Sequence, residues 1–216
     1  MTTNVVLITV FASPIERYNY AQIFSDGISV PKDLKNLLYT VPVYEAYLRK
    51  VTTNGRMPPD SNPPIAIGEV YYRWKALRFM PYLKVDNTIG ISGLTYHPVK
   101  NFNEYKKNWY GGGMHFDVNA DILKQNPGLG NNFHFHEGPK ILSYSGVAWG
   151  AIGCIEIVGD YDKFLENLLS LLSFKISGKT MRDEKMIAVI KDGKVWLELL
   201  YDNPYKRDIK IVPKRK

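Results

Sequence analysis

Cys154, His134 and His136 fall within 21 residues, in Phe133-His134-Phe135-His136-Glu137-Gly138 and Gly150-Ala151-Ile152-Gly153-Cys154-Ile155-Glu156. A cysteine attacks carbon as its thiolate, and an imidazole within hydrogen-bond reach is the usual base that removes the proton. Gly153 lets the backbone bend tightly just before the thiol. It also leaves room for a carbonyl group beside main-chain N–H donors, as an oxyanion hole requires. Cys154 is therefore the candidate nucleophile, and its base is one of the two histidines, His134 or His136, which share a face at a spacing of two. The plainer reading of Cys154 is a small core residue in the apolar run Ile152–Val158.

These residues resemble a known family. His136 and Cys154 with seventeen residues between them, the cysteine lying in Ala151-Ile152-Gly153-Cys154-Ile155, are similar to the signature of the L,D-transpeptidase (YkuD-like) catalytic domain. That signature is a histidine, a gap of this length, and Ser/Thr-His-Gly-Cys-hydrophobic-Arg/Asn. The likeness covers about residues 131–190 and extends to the strands from Ile65 onward. It implies a cysteine acyl-transfer enzyme acting on peptidoglycan stem peptides through a Cys154 thioester, with His136 as the base. In the family the imidazole is oriented by the main-chain carbonyl of the next residue, here Glu137. The oxyanion would be bound by N–H groups around Gly153 and Cys154. Trp149 and Tyr144, between histidine and cysteine, would line the substrate groove with His134. The implied fold is a β-sandwich with one long helix after the cysteine. No cofactor or metal is called for. The chain diverges at Ala151, Ile152 and Glu156, where the family has Ser/Thr, His and Arg/Asn.

Two other readings compete. His115 and Asp117 alternate on one strand as His134 and His136 do on another, so four ligand-type side chains could face one another. With Glu137 as base they would make a zinc-dependent peptidoglycan peptidase. The remaining reading is a non-enzymatic module in which Ala151, Ile152 and Glu156 mark decayed chemistry.

The elements that must position these residues are mostly strands. Short strand-like runs are expected at Ile65–Trp74, Leu77–Val85, Thr88–Thr95, Gly113–Val118 and Phe133–Glu137. The N-terminal run from Val5 to Ala12 reads as another. The clearest helix is Asp160–Phe174, capped by Asp160, with Leu165, Leu168, Leu169 and Leu172 as its apolar stripe. A second helix is expected around Asp33–Lys50, interrupted by Pro42. Lys191-Asp192-Gly193-Lys194 between two apolar runs, Met186–Ile190 and Val195–Leu199, signals a β-hairpin. Ile209–Val212 reads as a final edge strand. The fold class is mostly β or α+β. Residues 1–60 form an N-terminal extension packed on the core, and 61–216 the catalytic domain with a basic tail. The boundary lies in the proline-rich Asn54–Pro64 segment.

Composition bounds the rest. The 216 residues are 45% hydrophobic and 23% charged, which excludes wholesale disorder. The net charge of +7 is concentrated at the end. Lys206, Arg207, Lys210, Lys214, Arg215 and Lys216 against Asp208 give +5, so the first 205 residues carry only +2. A basic tail alone is weak support for a nucleic-acid partner. A single cysteine excludes an internal disulfide. No run reaches the length of a membrane span, and no basic segment precedes the first apolar run. The chain is expected to be synthesised in the cytoplasm and, as a wall enzyme, to reach the wall or periplasm by a non-classical route.

Overall fold

A computed structural model describes residues 2–21, 29, 32–35, 37–54, 70–77, 93–103, 112–116, 133–142, 154–201 and 211–213. Along the chain they form β1 (Thr2–Ala21), a single helical turn α1 (Lys32–Lys35), β2 (Leu37–Asn54), β3 (Val70–Leu77), β4 (Gly93–Asn103), β5 (Gly113–Phe116), β6 (Phe133–Glu137) and β7 (Ile155–Val158). The helices α2 (Tyr161–Leu171) and α3 (Lys179–Lys191) follow, then β8 (Val195–Tyr201) and β9 (Ile211–Pro213). The molecule is mostly β, as expected.

The strands lie in the order β1-β8-β4-β5-β6-β7-β3-β2, and β2 pairs again with β1, so eight strands close into a ring. β9 adds to the outer part of β2 through Leu37–Tyr39. Pairings are antiparallel except β1 with β8 and β6 with β7. Closure removes the open edges that would otherwise expose unpaired backbone groups. The two layers implied by a sandwich are thus one continuous sheet.

β2 departs from expectation. The helix read over Asp33–Lys50 is confined to Lys32–Lys35, and Leu37–Asn54 is an 18-residue strand. Pro42 is tolerated because it faces Tyr18 next to a register shift in β1, where the ladder is already interrupted. The boundary placed at Asn54–Pro64 falls mostly outside the described residues. The strands on its two sides, β2 and β3, are hydrogen-bonded neighbours.

The helix expected after the cysteine is α2. Asp160 caps it, its carboxylate accepting from the Lys163 N–H at 3.0 Å. Of its apolar stripe, Leu165, Leu168 and Leu169 are fully buried together with Phe164, whereas Leu172 stands at the C-cap and is half-buried. The Phe164 ring packs edge-on against Trp74 of β3 at 5.5 Å and is stacked with Phe135 of β6 at 5.4 Å. The Tyr161 hydroxyl donates to the Phe135 carbonyl at 3.0 Å. These contacts fasten α2 to the core face of the strand that carries both histidines.

A second helix replaces the expected hairpin. Met186–Ile190 belongs to α3, and Lys191-Asp192-Gly193-Lys194 joins α3 to β8. Gly193 has φ +68°, and the Gly193 and Lys194 N–H groups donate back to the Ile190 and Val189 carbonyls. Left-handed glycine serves a helix C-terminus as readily as a hairpin turn. The spacing of Met186, Val189 and Ile190 is helical, and all three are buried. Among the described residues no helix is long and apolar enough to cross a membrane.

Candidate active site

The site is built on the parallel pair β6–β7. Phe135 stands beside Ile155, His136 beside Glu156 and Glu137 beside Ile157. Phe135, Ile155 and Ile157 point into the core with α2. Side chains alternate along a strand, so His134, His136, Cys154 and Glu156 share the opposite face. His115 of β5 pairs with His134 and joins that face. His134, His136 and Glu156 are buried there, and Cys154 is half-buried.

The thiol and the histidine strand are in direct contact. The main-chain N–H of His134 donates to Cys154 Sγ at 3.4 Å. Burial pushes the thiol up to about 11, with a further push from the Glu156 carboxylate, while the His134 N–H works the other way. His136 is oriented by its neighbour's backbone, with Nδ1 2.8 Å from the Glu137 carbonyl oxygen. A carbonyl only accepts, so Nδ1 carries the proton and Nε2 keeps its lone pair. Burial lowers the His136 pKa below the usual histidine value, although the Glu137 bond opposes it. Nε2 lies 4.0 Å from Glu156 Oε1. That is too long for a hydrogen bond, but close enough to stabilise an imidazolium once a proton arrives.

Gly138 holds the two strands together. Its N–H donates to the Ile157 carbonyl at 2.9 Å, and a Cβ there would sit 2.7 Å from that oxygen and 3.0 Å from the Glu156 Cβ. A side chain at 138 must therefore push β7 away from β6. Gly138→Ala is expected to destabilise the fold by about 1–3 kcal/mol, as overpacking of a tight interior does. A urea-unfolding midpoint equal to that of wild type would show that β7 yields without strain.

Cys154 thus meets the His134 backbone, while His136, held by the Glu137 carbonyl, stands opposite Glu156 on the same pair of strands. Gly153, Tyr144 and Trp149 lie outside the described residues, as do Ala151, Ile152 and the zinc candidate Asp117. The other three members of the zinc set, His115, His134 and His136, are described. The His115 and His134 rings are 5.3 Å apart, but no group of three or more His, Cys, Asp or Glu side chains among the described residues can hold a metal ion. His134 and His136 point the same way from positions roughly 7 Å apart along one strand.

Glu156 is the neighbour that sequence reasoning placed differently, as a substitution for a cation in the family's pattern. The signal for its place was available. Cys154-Ile155-Glu156 alternates as His134-Phe135-His136 does, so the carboxylate had to share a face with the thiol. Comparison with protein-family models, with curated proteins and with solved structures finds no match for this chain.

Proposed function

We propose that the protein is a cysteine acyl-transfer enzyme of the L,D-transpeptidase kind, acting on peptidoglycan stem peptides or a related peptide. The observation that carries this reading is the His136 Nδ1 contact with the Glu137 carbonyl at 2.8 Å. It favours the tautomer whose unprotonated Nε2 lies on the face of β6–β7 that also carries Cys154. The same contact is what the family resemblance implies for this histidine.

With the thiol held high and the imidazole low, the resting pair is neutral rather than a thiolate–imidazolium pair. Attack then proceeds by general-base catalysis. As Sγ bonds to the substrate carbonyl carbon, the thiol proton passes to His136 Nε2 and the Glu156 carboxylate faces the new charge. The carbonyl electrons move to oxygen, which takes a hydrogen bond from nearby main-chain N–H groups. Collapse restores the C=O bond and breaks the C–N bond. The departing amine takes the proton from His136, leaving the acyl group on sulfur for transfer to a second amine or to water.

The test uses an acylating β-lactam directed at thiols, read by intact mass. Wild type is expected to gain one reagent mass and Cys154→Ala none. His136→Gln is expected to slow the gain by about 10²–10⁴-fold, the usual worth of a positioned base. Equal inertness of wild type and Cys154→Ala would overturn the proposal. It would favour the module with decayed chemistry, a reading supported by the burial that keeps the thiol protonated.

A further inference from the structure

A groove of about 630 Å³ opens on the outer side of β2, β3 and β7, where Val158 continues the sheet face that carries Cys154 and Glu156. Its charge is lopsided. Among the described residues Arg73, Lys75 and Lys140 line it, against the carboxylate of Glu45. That carboxylate is engaged, since it accepts from the Tyr47 hydroxyl at 2.7 Å. The Arg73 guanidinium lies over the Tyr47 ring at 5.6 Å. Among the described residues no carboxylate stands within ion-pair distance of Arg73, Lys75 or Lys140.

The groove is also apolar. Ile15 and Leu142 pack on the cluster containing Val158, and Ile141 at the rim is 73% exposed. A surface on which Arg73, Lys75 and Lys140 form no ion pair among the described residues, beside aliphatic side chains, fits a ligand carrying both negative charges and apolar groups. We infer that this groove, walled by Arg73, Lys75 and Lys140, is a docking site for an acidic peptide.

The aromatic residues favour peptide over nucleic acid. Sequence-tolerant binding of single strands needs free ring faces on which bases stack. Trp74 lines the groove, but its indole packs against Phe164 and has Gly159 against it, where a Cβ would be 3.5 Å from the ring. Tyr47 is covered by Arg73 and meets Phe11 edge-on at 4.8 Å. What remains is a set of separate cationic donors spaced along strands, suited to carboxylates on an extended chain. The inference stands on the groove alone and does not require Cys154 to be reactive.

The experiment is fluorescence polarisation with a fluorescein-labelled hexapeptide alternating leucine and glutamate, against its leucine–glutamine counterpart. The glutamate peptide is expected to bind with an affinity that falls as salt is raised. The glutamine peptide, and separately Lys75→Gln and Lys140→Glu, are each expected to bind about tenfold more weakly, the worth of one charge-assisted hydrogen bond. Lys140 is exposed, so its variant tests the groove without threatening the fold. Cys154→Ala is expected to bind as wild type does, which separates this site from the acyl-transfer reading. Equal binding of the two peptides, no saturable binding, or tighter binding of an oligonucleotide of equal charge would each overturn it.

Discussion

At pH 8, Cys154 in the folded protein is expected to react with iodoacetamide about a hundredfold more slowly than the same thiol in urea. The attacking species is the thiolate, and burial moves the thiol from an ordinary value of 9.0 to about 11. Two pH units separate the two states, so their thiolate fractions differ by about a hundredfold at any pH well below 9. The measurement is clean because the chain has one cysteine, so every adduct reports on this site. The pH profile carries the sign. The folded rate should climb tenfold per pH unit through pH 9.5 without levelling, whereas the urea-unfolded rate bends near 9. Above pH 9 the unfolded thiol loses its proton before the folded one does. Stability is therefore whole below 9 and declines as pH rises towards 11, by at most about 1.4 kcal/mol per pH unit from this group.

Glu156→Gln sharpens the same prediction by moving two rates in opposite directions. Removing the carboxylate takes away one of the influences that raise the thiol, so alkylation at pH 8 should quicken. It also removes the charge 4.0 Å from His136 Nε2 that would stabilise the imidazolium, so β-lactam acylation should slow. A merely structural Glu156 would move both rates the same way. A folded alkylation profile that levels below pH 8 would show a thiolate–imidazolium pair at rest and remove the general-base step.

The elements nearest the chemistry were the most legible in the sequence, for a local reason. Phe133–Glu137 alternates apolar and polar residues because one face meets α2 and the other carries the histidines. Asp160 and the leucines of α2 sit at the cap and stripe positions of a helix buried on one side. β2 hid because it is buried on both faces. Tyr44, Ala46 and Leu48 pack inward with the main core, while Val41 and Val43 join a separate cluster on the other face. The alternation that marks a half-buried strand is then erased. Val41, Tyr44 and Leu48 fall three and four apart, which imitates a helix. Closure of the ring was invisible for a different reason. It depends on β1 lying parallel to β8, a pairing between residues 6–10 and 195–199 that no local pattern encodes. The role of Gly138 likewise exists only once β7 is placed beside it.

That closure is secured by a buried polar cluster, and dismantling it by halves should produce the largest stability loss in the molecule. Thr9 of β1, Arg49 of β2 and Glu198 of β8 meet on the outer side of the sheet, all under 8% exposed. The Arg49 guanidinium pairs with the Glu198 carboxylate, the Thr9 hydroxyl donates to the same oxygen, and Arg49 Nε donates to Thr9 Oγ1 at 3.0 Å. Glu198→Leu leaves a guanidinium out of water without its carboxylate. It is expected to destabilise the fold by about 3–5 kcal/mol, the usual consequence of removing one partner of a buried pair. Adding Arg49→Met removes the stranded charge and should recover most of that loss. The Thr9 hydroxyl would then be the remaining buried group to lose these partners, worth about 1–3 kcal/mol, and Thr9→Val in the triple variant should bring stability back near wild type. Urea unfolding of the single, double and triple variants reads the series. A monotonic decline from single to triple would mean that the cluster contributes more through its own bonds than an apolar replacement returns. The ring would then be held at β1, β2 and β8 by electrostatics rather than by packing.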